Sequence, residues 1–204
     1  NDYRQVYPNA QGTTPIKFSM DIYQAEEQLR VGTGYFIRFP RKETITISGI
    51  LVTRIDKDLY PVHVYGGWNT VGSSSVPVTV DKMDFQALNN QTPAPQRLSG
   101  VFTYLTNQGY REVSQIDPGK GYFVKLNGEG FYKIQADVTK SSEGVTKGDV
   151  LASCASVTVR DNSERENVLF LTEGRNNIDV NQFELPPTPP MDWFDARFSN
   201  NSYV

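Results

Sequence analysis

The side chains of this 204-residue chain that are capable of chemistry are few and scattered. Its one histidine, His63, lies in the alternating stretch Leu59-Tyr60-Pro61-Val62-His63-Val64-Tyr65, with no Ser, Cys or carboxylate at a spacing that would make it a general base, and reads as structural. Its one cysteine, Cys154, sits among the small residues of Ala152-Ser153-Cys154-Ala155-Ser156 and reads as a buried, inert thiol without a second cysteine for a disulfide or a metal site. Glycoside hydrolysis needs two facing carboxyl groups, and the acids available for it (Glu26, Glu27, Asp56, Asp58, Glu112, Asp117) fall in polar or turn contexts where solvation is their expected role. Asp161-Asn162-Ser163-Glu164 offers closely spaced oxygens for Ca²⁺, but without the spaced acids and central glycine of a dedicated loop it reads as a hairpin turn. Gly32-Thr33-Gly34 and Gly119-Lys120-Gly121 lead into strands rather than helices, so they offer an anion no helix N-terminus. No catalytic residue, metal site or cofactor is assigned.

Aromatic rings are the remaining chemical signal. Trp68, Tyr122, Tyr132, Trp193 and Tyr203 can stack on sugar rings, and the same residue types fill the cores of β-sandwiches, which is the reading adopted. The net charge of −3 comes with no basic run, which argues against a nucleic-acid partner, since a phosphate backbone requires clustered Lys and Arg. No apolar run reaches the length of a bilayer span, and no charged-then-apolar leader follows Asn1.

The elements that must position these groups are strands. Tyr, Phe, Val, Thr, Gly and Pro dominate, and amphipathic helical spacing is scarce, so the predicted class is all-β, with two or three small sandwich-like units built from related hairpins. A repeat organises them: Gly34-Tyr35-Phe36-Ile37-Arg38-Phe39 returns as Gly121-Tyr122-Phe123-Val124-Lys125-Leu126. Each copy follows a glycine-containing turn and precedes a second alternating stretch (43–49 and 130–136), which predicts two hairpins with the basic residue facing outward. Strands are also predicted at 59–65 and 76–80, around a Gly66-Gly67-Trp68-Asn69 bend in which Trp68 anchors a core. Asp81 as an N-cap predicts a short helix over 81–88, followed by a surface loop at 91–95. Further hairpins are predicted from 101–105 with 110–113 and from 156–160 with 168–171. Pro186, Pro187, Pro189 and Pro190 cannot donate to a sheet ladder, so this stretch reads as a stiff connector before a strand at 193–198. The predicted units are 1–62, 63–140 and 141–185, with 186–204 as connector and terminal strand.

Three stretches together carry a resemblance: Gly67-Trp68-Asn69; Pro118 to Lys125; and Phe183 to Phe198, with its Leu-Pro-Pro-Thr-Pro-Pro and Phe-Asp-Ala-Arg-Phe segments. In combination they resemble repeat regions of large secreted surface proteins of the Bacteroidetes/Chlorobi/Ignavibacteria group, of the kind that precede a type IX secretion C-terminal sorting domain. The resemblance implies export and an extracellular or cell-surface location, and it carries over no catalytic residue. The expected function is a non-catalytic structural or adhesive module whose partners are other copies of itself or neighbouring domains of a longer parent chain. Filament assembly would run through the terminal segments 1–17 or 186–204, with Trp193, Phe194, Phe198 and Tyr203 as the candidate contacts. The alternative is a carbohydrate-binding accessory module of a secreted glycan-degrading enzyme, with a glycan as partner.

Overall fold

The computed structural model describes residues 2–10, 14–136, 151, 154–172 and 180–204. The protein is nearly all β, with several small antiparallel sheets and, among the elements bounded by described residues, one short α-helix, α1 (Tyr3–Val6). In chain order the strands are β1 (Ile16–Ser19), β2 (Ile22–Ala25), β3 (Arg54–Ile55), β4 (His63–Val64), β5 (Gly67–Gly72), β6 (Val78–Thr79), β7 (Met83–Ala87), β8 (Val101–Leu105), β9 (Gly109–Val113), β10 (Gln115–Ile116), β11 (Gly121–Leu126), β12 (Gly130–Gln135), β13 (Ala155–Arg160) and β14 (Glu166–Leu171).

Two four-stranded sheets form the sandwich. In the first the order is β5-β11-β8-β9; in the second, β12 lies between β7 and the two short strands β3 and β4. Period-2 alternation decides what each face meets. Tyr122, Val124 and Leu126 of β11 point toward Tyr132 and Ile134 of β12, and with Val71, Val101, Ile55, Val64, Met83 and Phe85 they build the core between the sheets. Phe123 points the other way, into a second core with Trp68, Phe102, Tyr110, Phe18 and Leu185. Trp68 is thus a core anchor, 5% exposed. The first sheet is therefore apolar on both faces. Its outer face is covered by the β1–β2 hairpin, by Phe36 of the first repeat copy and by residues near the C-terminus.

Several predicted elements take a different form. Both strands of the second repeat copy exist, but they do not pair with each other: β11 pairs with β5 and β8, while β12 crosses to the other sheet. Lys125 does not face water freely, because it lies on the side of the second core and its Nζ is 2.7 Å from Glu184 Oε2. The first copy makes only isolated bridges, Ile16 to Phe36 and Thr33 to Val71, and residues 43–49 form no strand. The predicted helix over 81–88 is a single 3-10 turn, Val80–Lys82, followed by β7, because Met83 and Phe85 alternate into the core at the strand period. The predicted strand at 76–80 shrinks to β6, and 193–198 forms no strand. The predicted pairings of 101–105 with 110–113 and of 156–160 with 168–171 form, with the strands running to Gly109–Val113, Ala155–Arg160 and Glu166–Leu171.

The predicted units are joined by backbone hydrogen bonds across each boundary. Ala136 N donates to Thr53 O, Glu166 N to Asn107 O, and Phe170 N to Tyr203 O. Residues 141–150, 152–153 and 173–179 of the predicted third unit lie outside the described residues; among its described residues, β13 and β14 pair.

The two repeat copies share a turn and meet at their glycines. Gly32 and Gly119, each three residues before the motif tyrosine, have φ of +79° and +74°, the left-handed region that glycine enters without steric cost. Each tyrosine hydroxyl accepts from the backbone N–H five residues earlier: Arg30 N to Tyr35 Oη at 3.2 Å, and Asp117 N to Tyr122 Oη at 2.6 Å. The contact between copies is reciprocal, since a Cβ on Gly34 would lie 3.2 Å from Gly121 Cα and one on Gly121 would lie 3.2 Å from Gly34 Cα. The two like turns thus lie against each other at one end of the first sheet.

Candidate functional site

Near this glycine contact the second core opens into a groove of about 330 Å³. Gly34 to Ile37 of the first copy form one wall, and Lys120 to Phe123 of the second copy form the floor together with Thr70 and Thr103. Tyr104 and Trp193 close the far side. The rings form one connected cluster. Trp193 stands edge-on to Phe36 at 4.9 Å between centroids and lies at 31° to Tyr104 at 5.2 Å. Phe36 also meets Tyr104 and Phe123, each at 5.8 Å. Aromatic pairs in such tilted and edge-to-face geometry add attraction beyond the area they bury.

Tyrosine hydroxyls hold the C-terminal segment over this face. Tyr110 Oη donates to Pro187 O and Tyr23 Oη to Thr188 O, both at 2.8 Å, and Tyr104 Oη donates to Phe194 O at 2.8 Å. Burial pushes Tyr23 and Tyr104 up to about 12 and raises Tyr110 further, so all three remain protonated donors at neutral pH. Arg197 adds a bond from Nη1 to Pro186 O at 2.7 Å, and its guanidinium is paired with Asp195, Nε to Oδ2 at 2.6 Å. Glu184 anchors the start of the segment through Lys125 and by accepting from Trp68 Nε1 at 3.3 Å. The proline stretch is therefore a strap laid across its own sheet.

The four candidate contacts are spread along this strap. Trp193 is half-buried and lines the groove, whereas Phe194 is buried beneath the Arg165 guanidinium, 5.5 Å from the ring centre. Phe198 is half-buried, and its N–H donates to Ser202 O. Tyr203 packs on Phe102, Phe170 and Phe183, and its hydroxyl donates to Glu112 Oε2 at 3.3 Å. Only Trp193 of the four joins the groove; Phe36, Tyr104, Thr103 and Lys120 join it without having been singled out as site residues. Tyr104 carries the same outward alternation as Phe102, but nothing local in the sequence places it beside Trp193.

The groups first considered for chemistry are held in structural bonds. His63 Nε2 is 2.8 Å from Glu129 Oε1, and its ring stacks on Phe131 at 5.2 Å. Cys154 is half-buried rather than buried, because it precedes a strand that lies on the surface. Asp161 accepts from the N–H groups of Ser163 and Arg165 and pairs with the Arg165 guanidinium, which commits its carboxylate within the turn. Asp117 is lowered by hydrogen bonds from Gln115 and Lys120. Burial acts to raise Glu26, but hydrogen bonds from Lys17 and Tyr35 and the charge of Arg30 outweigh it and lower its pKa. Among the described residues no three His, Cys, Asp or Glu side chains gather as a metal site, and no helix is long and apolar enough to cross a membrane.

No family model matches the sequence, and neither a curated protein nor a solved structure is significantly similar to it.

Proposed function

We propose that this chain is a non-catalytic structural or adhesive β-module of an extracellular, cell-surface protein. The observation that carries the reading is the double-sided burial of the first sheet. Tyr122 and Val124 fill the core on one face, Trp68 and Phe123 fill the core on the other, and the strap closes the second core. That arrangement spends the large rings and many polar side chains on cohesion, which suits a part that bears load or spaces its neighbours. The location rests on the likeness to secreted surface repeats. Since the strap lies on its own sheet, assembly through the terminal segment 186–204 would require a strap to be exchanged for that of a neighbouring copy.

One observation favours the alternative of a carbohydrate-binding module: Trp193 and Tyr104 line a groove together with the exposed Lys120, rings beside a polar group that suit a sugar, although the buried hydroxyls of Thr70 and Thr103 in its lining are bonded to the backbone of Phe18 and Gly121. A glycan array separates the two. The structural reading expects no dose-dependent binding; saturable binding that disappears in Trp193→Ala, with the fold retained by circular dichroism, overturns it in favour of the alternative.

A further inference from the structure

β13 is a six-residue strand with every residue exposed, and among the described residues it pairs on one side only, with β14. The far edge of β14 is occupied, because Glu166 N donates to Asn107 O and Phe170 N to Tyr203 O. These bonds fix the phase of the ribbon. Glu166 and Phe170 direct their backbone groups away from β13, and their cross-strand partners are Arg160 and Ser156. In an antiparallel pair, directly opposed residues either exchange hydrogen bonds with each other or both point outward. Ser156, Thr158 and Arg160 therefore present their N–H and C=O groups to the edge of β13 that has no partner strand among the described residues. The N–H of Asp161 donating to Arg165 O, at the turn, agrees with this phase.

Natural edge strands are guarded by Lys, Pro, a bulge or a covering segment. β13 has neither Lys nor Pro, and its only charge is the terminal Arg160. We propose that this edge pairs with the same edge of a second copy of the chain, antiparallel, about a two-fold axis through Thr158. The proposal deepens the structural reading of the module by naming its self-contact.

The sequence suits this register better than a neighbouring one. Outward-pointing residues oppose one another, Thr158 against Thr158 of the second copy and Ser156 against its Arg160, so the backbone donors and acceptors of the open edge are matched. Val157, 44% exposed, faces Val159 of the second copy, 37% exposed, on one side of the joined sheet. Leu171, 46% exposed, lies beside Ala155 on that same side and extends the apolar strip. The two Arg160 side chains fall at opposite ends of the pair, so no like charges oppose each other. A one-residue shift would set outward groups against inward ones and would also turn the valines away from each other. Because the contact is isologous it closes into a dimer. The two-strand overlap is small, so the dimer forms at high local concentration, the condition of a densely packed surface.

The test uses the full chain with Cys154→Ser. Adding Thr158→Cys places two thiols at the axis, where opposed hydrogen-bonded residues have Cα atoms about 5.5 Å apart, within disulfide reach. Mild oxidation with copper phenanthroline is expected to convert most of this variant to a covalent dimer on a non-reducing gel. The same background carrying Ser163→Cys, at the tip of the turn, is expected to stay monomeric. Sedimentation of the wild-type chain is expected to show a concentration-dependent dimer that is lost in Val157→Lys with Val159→Lys. A wild-type chain that stays monomeric at millimolar concentration, or equal cross-linking at positions 158 and 163, overturns the proposal. Either result leaves the structural reading standing, since that reading falls only to glycan binding.

Discussion

Gly32 and Gly119 occupy the same place in the two repeat copies, and replacing each with alanine measures what the shared turn demands and what the packing adds. Both have positive φ, so alanine at either must hold a left-handed conformation at roughly 1–2 kcal/mol, offset in part by the lower backbone entropy of the unfolded chain. At Gly119 a new Cβ meets nothing within 4 Å, and the net cost is expected to be about 1 kcal/mol. At Gly32 the Cβ would lie 2.8 Å from Val62 Cγ2 and 3.0 Å from Ile55 Cγ2. Both neighbours are buried in the core between the sheets and cannot swing into solvent, so overpacking adds about 1–3 kcal/mol. For a domain of this size each kcal/mol moves Tm by roughly 2–4 °C, so Gly119→Ala should melt a few degrees lower and Gly32→Ala about twice as far again. Thermal and urea unfolding followed by tryptophan fluorescence reads both, because Trp68 is buried in the second core. Equal destabilisation by the two variants would show that the contact of the first turn with Val62 and Ile55 does not exist. A stabilising Gly119→Ala would show that the turn does not need the left-handed residue.

Two further outcomes follow from the hydrogen bonding. Asp56 is buried, and burial acts to raise its pKa; the N–H groups of Leu59 and Asp58 and the Arg54 guanidinium outweigh this and hold it below the usual carboxylate range. A lowered folded pKa means that the stabilisation is full above the unfolded value of about 3.9 and is lost as pH falls through the folded value. The stability gap between wild type and Asp56→Asn in urea should therefore narrow below about pH 4, and a gap independent of pH from 3 to 6 contradicts the assignment. Tyr110→Phe and Tyr23→Phe each remove a donor to the proline segment at about 1 kcal/mol, and together they should expose the strap to limited proteolysis well before the sheets unfold. Unchanged cleavage in the double variant would mean that the strap is held by its apolar contacts alone.

The class of fold and many of its strands were legible because alternation and turn glycines are local signals. Tyr122, Val124 and Leu126 against Phe123 is a period-2 pattern whichever strand lies alongside, and the 101–113 and 155–171 hairpins close over short turns. Partner choice was not legible. Asn127-Gly128-Glu129 looks like a hairpin turn, yet β12 cannot pair with β11, because both edges of β11 are already used. β5 takes one edge; β8 takes the other, continued by Gln96 and Leu98, which bond to Asn127 and Lys125. The chain must leave the sheet there and becomes a sandwich corner. Gly130 marks the crossing, since a Cβ on it would lie 2.3 Å from Gln86 O across the second sheet. The helix expected over 81–88 failed for a related reason: Asp81 is a good N-cap, but Met83 and Phe85 reach the core only at the strand period.

The proline strap carries the same lesson into the candidate site. Proline has no N–H, so Pro186 to Pro190 is barred from a ladder by local chemistry, and that much was readable. Its carbonyls remain, and if they are buried without donors each leaves an acceptor desolvated at about 1–3 kcal/mol. Arg197 supplies one donor, to Pro186 O, from within the segment; the others combine a ring that fills the apolar face with a hydroxyl, Tyr110 to Pro187 O and Tyr23 to Thr188 O, from strands distant in sequence. A stretch rich in proline beside a sheet rich in tyrosine is thus a pair of complementary surfaces. Whether such a stretch runs away as a connector or folds back as a strap depends on those distant hydroxyls, and no window of sequence around the prolines contains them.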